Sequence, residues 1–188
     1  MFSTGRFILF LLHFIKKKRA IQNKAGHFCR TFHAYSIILK MTTQQKKLVK
    51  KSWLMFRQIK PAVIADVFYS RLFFEHPELR KLFPKDMTGQ YDKLIGTLNV
   101  VVGRLDKRDE LTADIADLAL RHKDYGTKPE YYAYVGQSLL WTLENGLGTD
   151  WNEEVAEAWA TCYTLLSNTM IKAAKGTPIL RVDDHKTV

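Results

Sequence analysis

Cysteine is nearly absent from this chain. Cys29 and Cys162 are the only two in 188 residues, too few and too far apart for a disulfide framework or a cysteine-rich metal site. Both are expected as unpaired thiols, with Cys162 packed as a small apolar group. Also missing are GxSxG, a Walker phosphate loop, HExxH, CxxC and GxGxxG, so hydrolase, nucleotide-dependent and zinc chemistry lose their usual signatures. The apolar run Phe7 to Ile15 falls far short of the roughly 18 to 20 residues that span a bilayer. Acids are missing too: Met1 to Ala65 hold fourteen Lys and Arg and no Asp or Glu. The formal charge of +10 is therefore uneven, because from Asp66 onward the remaining fifteen basic residues meet all nineteen acids, a net of −4. A mildly acidic body argues against a nucleic-acid partner.

The basic leading stretch admits several readings. A secretory signal fits poorly, with one charge ahead of the apolar run, the cluster Lys16 to Arg19 behind it and no small-residue cleavage site. An organellar transit peptide suits the lack of acids, and a peripheral membrane anchor suits Phe and Leu beside four cations. The plain alternative is an unstructured extension upstream of Met41, which directly precedes the helix-capping pair Thr42 and Thr43 and reads as a natural start. The length leaves room for one core. The expected organisation is a basic extension over 1–41, one domain over 42–175 and a polar tail over 176–188. The protein is expected to be cytoplasmic, with any membrane association or organelle targeting confined to the extension.

What is there after Met41 is helical. No alternating strand-like run and no internal repeat occurs. The spacing predicts a first helix from about Thr42 to Gln58, ended by Lys60-Pro61, and a second from Pro61 carrying Ile64, Val67, Phe68, Tyr69, Leu72 and Phe73. His76-Pro77 breaks it, and a short helix follows through Glu78 to Phe83. After a polar turn at Lys85 to Gly89, Leu94, Leu98, Val101 and Leu105 recur at helical spacing. Leu111, Ile115, Leu118 and His122 write another helix, closed at Tyr125-Gly126 by a left-handed glycine. Two more are expected from Pro129 to about Leu147 and from Asn152 to about Ala174. Seven or eight helices in all make the fold class all-α.

Position narrows the six histidines to one. His13, His27 and His33 lie in the extension, His185 in the tail, and His76 at a turn before Pro77, so only His122 sits on an apolar helical stripe. A lone histidine there is more often a satisfied core residue than a ligand. Its company shifts the balance: Tyr132, ten residues on, is placed to offer the imidazole a phenol hydrogen bond, Gln90 and Leu94 share one helix face a turn apart, and a buried Tyr69 would need a partner for its hydroxyl.

The segments VFYSRLFFEHPELRKLF (Val67 to Phe83), LRHKDYGTKPEYYAYVG (Leu120 to Gly136) and EAWATCYTLL (Glu157 to Leu166) resemble the globin domain of bacterial hemoglobins and flavohemoglobins, and also neuroglobin-like single-domain globins. The resemblance covers about Thr43 to Ala173. It implies a globin fold, a three-over-three helical sandwich, holding heme b (iron protoporphyrin IX). It further implies that His122 is the iron ligand on the proximal face, with Tyr132 the proximal tyrosine. Tyr69 matches the tyrosine of the opposite, distal face, Gln90 the distal glutamine, Leu94 the apolar wall one turn on, and Phe83 the phenylalanine wedged against the heme. Lys93 lies within reach of a heme propionate, or is simply a solvated lysine. Phe83, Tyr69 and Leu94 each also read as ordinary core.

Two departures bear on activity. The glutamate that in flavohemoglobins links the proximal histidine and tyrosine falls at Ala174, and the protein is expected to work without a flavin and nicotinamide reductase domain of its own. The resemblance thus implies reversible binding of O₂ for storage, delivery or scavenging at an iron with an open sixth position, with NO and CO as further ligands. The rival readings are nitric oxide dioxygenation with a separate reductase, a heme-based gas sensor, and a heme-free helical interaction protein in which His122 is core.

Overall fold

The computed structural model describes residues 41–176. The apolar run and basic cluster of the extension, and the tail from residue 177, lie outside the described residues. Among the described residues there are six α-helices, two short 3₁₀ segments and no strand: α1 (Thr43–Phe56), α2 (Pro61–Glu75), a 3₁₀ segment (Pro77–Leu82), α3 (Thr88–Gly103), α4 (Arg108–Asp124), α5 (Pro129–Leu147), a 3₁₀ turn (Gly148–Asp150) and α6 (Glu153–Ala174). The all-α expectation holds. None of these helices is long and apolar enough to cross a membrane.

Local chemistry sets the helix ends. Thr42 caps α1 through its side chain while Gln45 reaches back to the Thr42 N–H, a capping box that satisfies two otherwise orphaned donors. Pro61, Pro77 and Pro129 each open a helical segment, where a missing N–H costs nothing. The Asn152 side chain accepts from Val155 at the start of α6, and Glu153 and Glu154 meet its dipole. Gly126, at φ 74°, allows the turn after α4 that a larger residue would strain.

Two boundaries differ from the sequence reading. The polar stretch before Gln90 is shorter than expected, because the Asp86 carboxylate accepts from the Thr88 N–H and lets α3 begin at Thr88. Met41, assigned above to the extension, is buried within the main core cluster.

Packing follows from the apolar faces. α6 lies against α1, α4 and α5, while α2 packs on α3 and α5, and α1 also touches α3 and α5. The α1–α6 contact buries Trp53, Phe56 and Trp159, and the indole of Trp159 donates 2.9 Å to Ser52 Oγ, so a large aromatic enters the core without losing its polar bond. Trp53 does the same toward Asn99 of α3. The corner between α3 and α4 carries ion pairs of Lys50 with Asp106 and Arg104 with Asp114. At these exposures such pairs add little stability.

The buried residues fall into two clusters. The larger contains Trp53, Phe68, Tyr69, Leu98, Leu143 and Trp159, the smaller Ile115, Ala119, Tyr132 and Met170, and Leu111 and Leu166 pack against both.

Candidate functional site

Tyr69 and Gln90 are brought together by the crossing of α2 and α3. Tyr69 is 5% exposed, and the Gln90 Nε2 amide donates to its hydroxyl oxygen over 3.1 Å. Since the amide is the donor, the phenol keeps its own proton for another acceptor. Burial pushes Tyr69 up to about 12, with the Gln90 bond opposing, so the hydroxyl stays protonated at any ordinary pH. Phe83 meets the Tyr69 ring edge-on with centroids 5.4 Å apart, and Phe73 lies beside it at 5.7 Å. Leu94 and Phe83 are half-buried against the larger cluster, and Lys93 is exposed.

His122 is oriented within its own helix. Its Nδ1 lies 2.9 Å from the carbonyl oxygen of Leu118, one turn back on α4. A carbonyl only accepts, so Nδ1 carries the proton and the neutral ring presents Nε2 with a free lone pair. Burial holds the imidazole below the ordinary histidine value of 6.5, with the Leu118 bond opposing, which favours the neutral form a metal requires. The sequence placed the Tyr132 hydroxyl as a partner of this ring. Instead the two rings lie near-parallel, centroids 6.3 Å and planes 24° apart, and the Nδ1 partner is the Leu118 carbonyl.

Tyr132 is itself held from α6. The Tyr163 hydroxyl donates 2.7 Å to the Tyr132 carbonyl, and the Tyr163 ring occupies the space beside Gly136, where a Cβ would come within 2.5 Å of its Cε1. Glycine at 136 is therefore what lets α5 and α6 approach closely. Burial pushes the Tyr163 phenol strongly upward, so it remains a donor.

These groups suit a heme better than a bare metal ion. Among the described residues no three His, Cys, Asp or Glu side chains gather into a metal site, and His122 offers one nitrogen. One protein nitrogen would complement an iron that a porphyrin already holds. Ala174, half-buried at the end of α6, brings no carboxylate to the imidazole.

Several contributors escaped the sequence reading. The Leu118 carbonyl was invisible as a side-chain pattern, although any helical residue has a carbonyl four positions behind it. Phe73 was read only as core. Tyr163 was quoted within a matching segment without a role, and Gly136 was the one available clue to it. Tyr91, stacked on Tyr69, was passed over between Gln90 and Leu94.

An all-α body whose buried tyrosine and glutamine side chains meet on two crossing helices, with a neutral imidazole closing a fourth, is the architecture of a globin. A sequence model of the globin family matches residues 66–170, and the chain belongs to that family. It is 30% identical over 131 residues to a flavohemoprotein of Rhizobium meliloti, a match covering 68% of this chain and 32% of that protein. The chain thus spans about a third of the length of the flavohemoproteins it matches. A neuroglobin of Tetraodon nigroviridis is 27% identical over 147 residues, covering 70% of this chain and 91% of the relative. Among solved structures, an engineered carbene transferase made from a nitric oxide dioxygenase candidate of Rhodothermus marinus superposes with a TM-score of 0.65 at 26% identity, over 72% of this chain and 94% of that one.

Proposed function

We propose that this protein binds heme b through Nε2 of His122 and reversibly binds O₂ for storage, delivery or scavenging. The observation that carries the reading is the Gln90 amide donating to the buried Tyr69 hydroxyl at 3.1 Å, which leaves a phenol O–H and a second amide N–H to serve a ligand. Ferrous heme, when bound, supplies the position at which O₂, NO or CO attaches. The residues decide among those ligands: O₂ draws negative charge onto its outer atom, so hydrogen-bond donors hold it more firmly than they hold CO. Leu94 and Phe83 keep that side apolar and short of competing water. Glutamine is a poor iron ligand, so Gln90 would not compete with a small ligand for the iron. On the other side, the neutral Leu118 carbonyl polarises the imidazole less than a carboxylate would, which suits reversible binding better than cleavage of an O–O bond.

Nitric oxide dioxygenation with a separate reductase is the second reading, favoured by the likeness to flavohemoproteins and to the Rhodothermus structure. Addition of hemin to the purified chain is expected to give a Soret band that His122→Ala loses, and an unchanged band in that variant refutes the ligand. Slow O₂ release without NO consumption in the presence of an added reductase supports storage. Rapid conversion of NO to nitrate supports the second reading.

A further inference from the structure

α2 is apolar on two opposite faces. Its inner face buries Ile64, Ala65, Phe68, Tyr69 and Leu72 in the main core. Its outer face carries Val63, Val67 and Phe74, which are 49%, 36% and 79% exposed, with the exposed Ser70 between them. A helix that is hydrophobic all round is ordinarily covered on every side, so this outer stripe calls for a cover.

The spacing on that stripe is specific. Val63, Val67, Ser70 and Phe74 follow one another by four, three and four residues, which are d, a, d and a positions of a heptad. In the same register Asp66 falls at g and Arg71 at e. When two such helices lie parallel about a two-fold axis, the g residue of one stands beside the e residue five positions further along the other. Asp66 of each copy then meets the partner's Arg71.

Both charged groups have bonding capacity to spare. Asp66 accepts the Tyr91 hydroxyl through Oδ1 at 2.7 Å, which leaves Oδ2. The Arg71 guanidinium lies 4.8 Å over the Trp141 ring of α5 and 2.7 Å from the Glu75 carboxylate, so it is held in place with further N–H groups unused. An open cleft of about 490 Å³ runs along Asp66, Val67, Ser70, Arg71, Phe74 and Trp141 and gives a partner's side chains room to lie.

We propose that the outer face of α2 is a dimerisation surface and that its occupant is a second copy of this chain, the two α2 helices lying parallel about a two-fold axis. Val63, Val67 and Phe74 each meet their own counterpart, and the small Ser70 lets the backbones approach at the centre. Antiparallel packing would instead put Asp66 on the same flank as the partner's Asp66, so the charges select the parallel arrangement. An anionic bilayer is the poorer fit, because it calls for cations beside the stripe and here Asp66 and Glu75 outnumber Arg71.

The test is sedimentation velocity on the full chain at concentrations up to about 1 mM, since one helix face falls below the standard interface size and associates weakly. Wild type is expected to pass from monomer to dimer as concentration rises. Val67→Lys and Phe74→Glu each set like charges face to face and should weaken association about a hundredfold. Asp66→Arg and Arg71→Asp should each weaken it about tenfold, and the double exchange should restore it. Ser70→Cys in a Cys29→Ser background, with Cys162 buried, should cross-link to a disulfide dimer under mild oxidation. Circular dichroism establishes that the variants are folded. A wild-type chain that stays monomeric throughout, or a dimer indifferent to Val67→Lys and Phe74→Glu, overturns the α2 surface. A double exchange that restores nothing, or a Ser70→Cys protein that does not cross-link, overturns the parallel pairing.

Discussion

The polar groups around Tyr69 and those around His122 are held by opposite means. Tyr69 and Gln90 stand on different helices and orient each other, so their geometry depends on how α2 crosses α3. His122 is oriented by a carbonyl of its own helix, and the neighbouring helices contribute only ring surfaces and a clamp on Tyr132. A bond within one helix survives changes in packing that would separate two crossing helices. Under the proposed heme reading, the Tyr69 side is therefore where ligand preference would be tuned, while the His122 side would stay constant.

That contrast can be broken at several points. The largest effect is expected at His122: His122→Gly should abolish tight heme retention, and free imidazole added to the variant should restore the Soret band, because nothing else on α4 supplies the nitrogen. At Tyr69, Tyr69→Phe removes one hydrogen bond of about 1–2 kcal/mol and should speed O₂ dissociation roughly 5- to 30-fold, with CO dissociation nearly unchanged, in stopped-flow measurements. Gly136→Ala pushes a methyl into the Tyr163 ring and should cost roughly 1–3 kcal/mol in urea unfolding. It should do so with little change in O₂ release if the two sides are as independent as their construction implies.

The pH dependence of the heme-free chain sharpens the comparison further. His122 is held below 6.5 in the folded state, so the unfolded chain binds the extra proton first as pH falls. Its contribution is complete above 6.5 and is lost as the pH drops from there toward the lower folded value. His122→Gln should flatten that part of the urea-midpoint profile, whereas Tyr69→Phe, whose phenol titrates only near 12, should leave it unchanged. The smallest effect is expected at Lys93: an exposed cation contributes at most about 1 kcal/mol, so Lys93→Ala should barely move the rate of heme loss.

Much of this was legible in the amino-acid order, for reasons that differ residue by residue. The helices could be read because Leu111, Ile115, Leu118 and His122 keep a helical period and because Pro61, Pro77 and Pro129 mark first turns. The start of α3 was misplaced because a side chain, Asp86, takes over a backbone N–H that composition alone assigns to a turn. Resemblance singled out Tyr69 and Gln90, yet their direct bond depends on a crossing between residues 21 positions apart. The bond from Tyr91 to Asp66 was hidden in the same way, since it joins residues 25 positions apart on two helices. The burial of Met41 could not be read from its position beside a basic stretch, since only the packed core shows what its side chain covers.

Glycine at 136 has a counterpart at 146, where a Cβ would come within 2.2 Å of the Phe56 ring. Each pair binds two positions far apart in the chain into a single unit of variation. A lineage that enlarges residue 136 must trim the ring at 163 in the same step, and one that enlarges 146 must trim 56. Drift at these places is therefore correlated, and a library that randomises α5 alone will discard substitutions that a matched change on α6 or α1 would have rescued.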